Sequence, residues 1–330
     1  MASPSAVGRI VWHDLMTTDT DAAGRFYPRI TSWGMTPFPD NPSYKMWTAK
    51  GTPLGGMMDL PASAKDMGAP PHWMPYVAVA DVDASVRKAE GLGAKTYVPA
   101  EDIPNVGRFA VLADPQGAVF AIFRSAGEAP GHEGKPELGE FSWHELATSD
   151  WNAAWNFYSA MFGWVKSQAM DMGPAGTYQM FDRNGLMLGG MYNGRPNVPA
   201  PRWLSYVRVP NVDTAAAVIT QNGGRIVSGP MDVPGGDRVL QAMDPQGALF
   251  AVHAVAAVSA APTAKPAAKP ARKVAKAKPV RAKTKAKSVA KSQPKAKART
   301  KAKARPKAKA RPKARQRTRA VRRGKAKGKK

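Results

Sequence analysis

Residues 12–27, WHDLMTTDTDAAGRFY, return as residues 143–158, WHELATSDWNAAWNFY. The Trp, the His, the Asp and the Phe-Tyr pair all recur 131 residues apart. A chain that repeats itself at a fixed distance builds the same unit twice, so the first question is what one copy makes. Each copy opens as a strand, with Trp12, Asp14 and Met16 on one face and Val11, His13 and Leu15 on the other. Asp19 and Asp150, preceded by Thr18 and Ser149, then give a helix start. Ala22, Phe26 and Ile30 follow at helical spacing, as do Ala153, Phe157 and Met161.

The copies stay in step to their ends. Trp33 matches Trp164, Tyr44 matches Tyr178, and Gly55-Gly56-Met57 matches Gly189-Gly190-Met191. Trp73, Tyr76, Arg108 and the DPQGA run at 114–118 match Trp203, Tyr206, Arg238 and DPQGA at 244–248. Within each copy the order strand–helix–three strands occurs twice. The first copy places strands near 8–16, 44–49 and 54–59 around a helix near 20–31. A strand near 73–80, a helix near 82–90 and strands near 105–112 and 118–124 complete it. The expected fold class is α+β: two tandem domains at 1–125 and 139–256, each long enough to bury a core. A Gly- and Pro-rich linker at 126–138 joins them, and a polybasic tail fills 257–330.

Charge separates tail from body. Residues 261–330 contain 30 Lys or Arg and no Asp or Glu, which leaves residues 1–260 at a net charge of about −5. Ala, Lys, Arg and Pro build no apolar face, so the tail is expected to be disordered in isolation. It resembles the C-terminal arms of linker histones and of bacterial histone-like proteins. Without interleaved aromatics it offers phosphate neutralisation and no base stacking, so its expected partner is DNA or another polyanion, bound without regard to sequence. The absence of Cys excludes disulfides, thiolate metal sites and cysteine nucleophiles. No signal peptide or membrane span is recognisable, so the expected location is cytoplasmic and nucleoid-associated, with no membrane partner.

The paired strand–helix–three-strand units, FY in the first helix and DPQG before the last strand resemble the vicinal-oxygen-chelate superfamily. That group includes glyoxalase I, bleomycin-resistance proteins and extradiol dioxygenases. The resemblance covers about 8–124 and 139–254 and implies that two modules curl into a cup in each domain. It also implies a divalent ion held by His, Glu or Gln on the first strand of each module and on a last strand. Those positions fall here on Trp12, Met74 and Ala121, and on Trp143, Leu204 and Ala251, none of which binds such an ion. No metal site and no cofactor are therefore predicted. His13 and His144 stand one residue from the ligand position and face away from the cup unless a bulge turns them back. A metal-dependent lyase or dioxygenase using them is the rival enzyme reading, and a nucleoid-compacting scaffold is the structural one.

Within the cups, Asp14 and Glu145 share the face of the Trp residues and are the candidate catalytic groups. A carboxylate against a Trp wall has its pKa raised, which suits a general base or a hydrogen-bond anchor. Tyr44, Met57, Met74 and Tyr76, with Tyr178, Met191, Leu204 and Tyr206, are candidate walls for a small organic ligand. Arg108 and Arg238 are candidates to clamp a carboxylate-bearing ligand or to pair with Asp14 and Glu145. DPQG reads as a turn, and His72 and His253 carry little weight because Arg202 and Phe123 replace them in the other copy.

Overall fold

The computed structural model describes residues 6–194 and 201–256, so the expected tail, including segment 261–330, lies outside the described residues. The first repeat runs β1 (Ile10–Thr17), α1 (Thr20–Thr31), β2 (Gly34–Phe38), β3 (Asn41–Ala49), β4 (Thr52–Asp59), α2 (Ala62–Asp66), β5 (His72–Ala78), α3 (Val82–Gly91), β6 (Lys95–Ile103), β7 (Gly107–Ala113) and β8 (Val119–Ser125). The second runs β9 (Phe141–Thr148), α4 (Trp151–Phe162), β10 (Val165–Asp171), β11 (Thr177–Arg183), β12 (Leu186–Asn193), β13 (Arg202–Arg208), α5 (Val212–Gln221), β14 (Arg225–Asp232), β15 (Arg238–Met243) and β16 (Leu249–Ala254). Each repeat makes one eight-stranded sheet, ordered β2-β3-β4-β1-β5-β8-β7-β6 and β10-β11-β12-β9-β13-β16-β15-β14. The opening strands of the two modules pair antiparallel at the centre of each sheet, and each lies parallel to the last strand of its own module. The four long helices start where an Asp or Asn side chain accepts a backbone N–H: Asp19 from Ala22, Asp81 from Ala84, Asp150 from Ala153 and Asn211 from Thr214.

The two repeats share their cores. Phe26, Tyr27, Trp47 and Trp73 of the first repeat pack with Val212, Ile219, Leu240 and Phe250 of the second in one cluster. Phe120, Ile122 and Val82 pack with Phe157, Tyr158, Trp164 and Trp203 in the reciprocal cluster. Each core is thus half first repeat and half second, and α1 meets α5 as α3 meets α4. Each sheet faces this shared interior with one side, and its other side is the cup. No helix among the described residues is long and apolar enough to cross a membrane.

The repeated motifs explain the seam. Tyr27 donates to Asp244 Oδ2 at 2.9 Å and Tyr158 donates to Asp114 Oδ2 at 3.0 Å. The FY tyrosine of each repeat thereby holds the DPQG aspartate of the other. DPQG is the expected turn, since Asp114 Oδ1 accepts the N–H of Gln116 and Ala118, but its second oxygen fastens the repeats together. Trp33 Nε1 donates to Gly139 O at 2.6 Å and Trp164 Nε1 to Gly8 O at 2.7 Å, tying each repeat to the start of the other.

Candidate functional site

Strand pairing decides which side chains enter a cup. Asp14 lies opposite Gly56 on β4 and Met74 on β5, while Trp12 lies opposite Tyr76. Tyr76 is in register with Ala121, and Ala121 with Val111. The second sheet repeats the row: Gly190, Glu145 and Leu204, then Trp143, Tyr206, Ala251 and Gln241. Glycine is required at two points of this row. A Cβ on Gly56 would lie 1.8 Å from Tyr44 Oη, and one on Gly190 would lie 2.1 Å from the Tyr178 ring. The bare backbone lets each tyrosine lie across the sheet and reach the carboxyl group.

In the first cup Asp14 is 4% exposed. Its Oδ1 accepts from Tyr44 Oη at 2.6 Å and from Trp12 Nε1 at 3.0 Å, and its Oδ2 accepts from Tyr76 Oη at 2.7 Å. In the second cup Glu145 Oε2 accepts from Tyr206 Oη at 2.7 Å and from Gln241 Nε2 at 3.1 Å. Tyr178 also hydrogen-bonds Glu145, and it accepts from Trp143 Nε1 at 2.8 Å. Burial raises the pKa of both carboxyl groups, and the hydroxyl donors work against that shift without cancelling it. Burial beside these carboxylates pushes the tyrosine pKa values upward, so the phenols stay protonated donors.

The expected wall residues Trp12, Tyr44, Met74 and Tyr76 come together around Asp14, as Trp143, Tyr178, Leu204 and Tyr206 do around Glu145. Met57 and Met191 do not: they pair with Leu15 and Leu146, on the face turned to the shared core, and both are fully buried there. Arg108 and Arg238 also leave the cup. Arg108 holds Asp83 at 2.9 Å and Asp102 at 3.0 Å, and Arg238 holds Asp213 at 2.9 Å and Asp232 at 2.7 Å. They tie the start of α3 and α5 to the sheets, and neither pairs with Asp14 or Glu145. Gln241 was missed. Its counterpart is Val111, and that break in the repeat was the available signal.

His13 and His144 stay on the interior face. Both copies do carry a bulge, but it falls earlier, between Ile10 and Trp12 and at the Phe141–Trp143 step, so it displaces Val11 and Ser142 instead. The two imidazoles meet each other, Nε2 to Nε2 at 2.8 Å, beside a cavity of about 420 Å³ at the seam that Leu54, Leu188 and linker residues also line. His144 Nδ1 donates to Leu188 O at 3.0 Å, so in the neutral pair His144 accepts through Nε2 and His13 donates. Burial lowers the pKa of both, with His144 down to about 4 and His13 lowered further by its neighbour.

Residues 140–252 match the family model of the glyoxalase/bleomycin resistance protein/dioxygenase superfamily, and residues 10–123 match that of the glyoxalase-like domain. CFP32 of Mycobacterium tuberculosis (strain CDC 1551 / Oshkosh), which carries the provisional name of glyoxylase, is 35% identical over 73% of this chain and 92% of its own. The anthracycline biosynthesis protein DnrV of Streptomyces peucetius is 30% identical over 75% of this chain and 93% of its own. The chain belongs to the glyoxalase/bleomycin resistance protein/dioxygenase superfamily. Among solved structures, homoprotocatechuate 2,3-dioxygenase from Arthrobacter globiformis shares the fold at TM-score 0.56 and 15% identity, covering 78% of this chain and 82% of that one. The Mn(II)-bound glyoxalase from Novosphingobium aromaticivorans does so at TM-score 0.54 and 16% identity, covering 76% and 82%.

Those two relationships raise the question of a divalent ion. The cups do not fit one. Each offers a single carboxyl group, and in the first both of its oxygens are taken by Trp and Tyr donors. Among the described residues no three His, Cys, Asp or Glu side chains converge to hold a metal. The cups instead offer an acid–base group with a raised pKa, flanked by phenolic donors and aromatic walls.

Proposed function

We propose that this protein binds, or transforms by proton transfer, a flat hydroxyl-bearing organic molecule in a cup, without a divalent metal. The observation that carries the reading is a carboxyl group in each cup, buried in the first and half-buried in the second, with two tyrosine hydroxyls and an indole around it, while Trp, Met, Leu and Ala stand at the family's metal-ligand positions. A carboxyl group of raised pKa accepts a hydroxyl proton near neutral pH more readily than an ordinary one. The likeness to a protein of anthracycline biosynthesis supports a polycyclic, hydroxylated ligand. The rival, a metal enzyme built on His13 and His144, is disfavoured by their position on the interior face and their contact with each other. The segment 261–330 adds the second half of the proposal, a non-specific hold on DNA that keeps the body at the nucleoid.

Fluorescence titration of the full chain with an anthracycline tests the small-molecule reading. Binding in the presence of a chelator, lost in the Asp14→Asn/Glu145→Gln double variant, is the expected result. Binding that appears only with added manganese, iron or zinc, or no binding at all, would overturn it.

A further inference from the structure

The two cups match in plan and differ at the positions that meet a ligand. In the first, the carboxyl group is enclosed. Ala6, Val106 and Ala129, from segments outside the strands, join the cup-side cluster with Met74, Val111 and Phe123. Arg9 fastens that cover by donating to the carbonyl of Pro130 at 2.7 Å. In the second, the corresponding cluster comes from strands alone among the described residues: Leu204, Tyr206 and Ala251, with half-buried Trp143, Val239 and Leu249.

The substitutions between the cups run in one direction. Glu145 stands where the first has Asp14, reaches one methylene further and is half-buried rather than 4% exposed. Gln241 replaces Val111, and Val239 replaces the larger Phe109. Gln241 Nε2 lies 3.1 Å from Glu145 Oε2 and 2.8 Å from Tyr206 Oη, so its amide completes a polar group that the first cup lacks. Arg202 replaces His72 on the same strand face, and its charge favours the ionised form of Glu145. Val111 at the position of Gln241 in the first cup shows that the fold itself does not need this amide.

Resting on the reading that the cups take small organic molecules, we infer that ligand binding belongs to the second cup alone. Glu145 and Gln241 are its specificity-determining pair, selecting an aromatic ring with a hydroxyl donor. The hydroxyl donates to Glu145, the ring lies against Trp143 and Leu204, and Gln241 holds the carboxylate in place from the far side. The first cup is a structural twin whose Asp14 lies beneath the cover that Arg9 fastens.

Phenol is the minimal probe. The indole N–H signals of Trp12 and Trp143 in the isotope-labelled full chain are assigned with W12F and W143F, then followed through a phenol titration. The expected result is a saturable shift of the Trp143 signal with the Trp12 signal unmoved. Glu145→Gln and Gln241→Val should each weaken binding at least tenfold. Gln241→Val is the safer variant, since it restores the residue type of the first cup. Equal shifts at both indoles would overturn the assignment to one cup while leaving the small-molecule reading intact. No shift at either indole, or unaltered affinity in Gln241→Val, would overturn the inference as well.

Discussion

Tyr206 illustrates how single residues set the chemistry of a cup. Its hydroxyl donates to Glu145, which favours the ionised carboxylate, while burial favours the neutral acid and prevails. A ligand hydroxyl needs the ionised form as acceptor. Affinity for such a ligand should therefore fall as pH drops through the raised pKa. Tyr206→Phe should move that midpoint to still higher pH, because a donor to the charged form is lost. A binding profile against pH for the two proteins checks this, and a midpoint that stays put or moves down contradicts it. The buried histidines give a second pH effect, of opposite origin. Their folded pKa values lie below the ordinary 6.5, so the unfolded chain binds more protons as pH falls from 6.5 toward 4, and stability drops over that window. His144 alone is expected to contribute about 3 kcal/mol. Urea unfolding at pH 7 and pH 4.5, compared between wild type and the His13→Gln/His144→Gln variant, isolates it from the buried carboxylates, which act in the other direction. An equal loss in both proteins would contradict it.

Asp14 and Glu145 were legible from alternation along one strand. Met57 and Met191 were not, because the face of β4 and β12 depends on their parallel pairing with β1 and β9, which no local pattern records. The same limit applies to whole elements. The four long helices announce themselves by a capping Asp or Asn followed by helical spacing. The edge strands β2 and β6 escaped a residue range, since β2 is largely exposed and β6 contains Pro99 and no buried residue. The pairing of Tyr27 with Asp244 and of Tyr158 with Asp114 was invisible for a further reason. Both partners occur in both copies, and the sequence does not tell whether a tyrosine meets its own aspartate or the other one. That crossing makes a prediction about how the elements hold together. Tyr158→Phe leaves buried Asp114 and Trp203 Nε1 each short of a partner, at an expected cost of about 1–3 kcal/mol. Tyr27→Phe should cost a similar amount, through Asp244 and Trp73. Denaturation of each variant should show one cooperative transition moved to lower denaturant, because each core contains both repeats. Two separated transitions would mean that the repeats fold independently.

At the scale of the whole molecule, charge is divided as sharply as the body is interlocked. Residues 1–260 carry about −5 and residues 261–330 carry thirty positive charges with no negative ones. DNA repels the first and attracts the second, so the proposed hold on DNA rests on the tail alone. If the tail neutralises about ten phosphates, log affinity should fall against log salt with a slope of roughly −9. Scrambling the DNA sequence should change little, since phosphate contacts carry no base information. Removing residues 261–330 should abolish binding while leaving the unfolding transition of the body in place, because residues between 15 and 254 build its two shared cores. Filter binding across a salt series, with the full chain and with residues 1–260, reads both consequences. If residues 1–260 bind DNA as tightly as the full chain, or the slope is near zero, the basic segment serves a different partner and the nucleoid assignment falls.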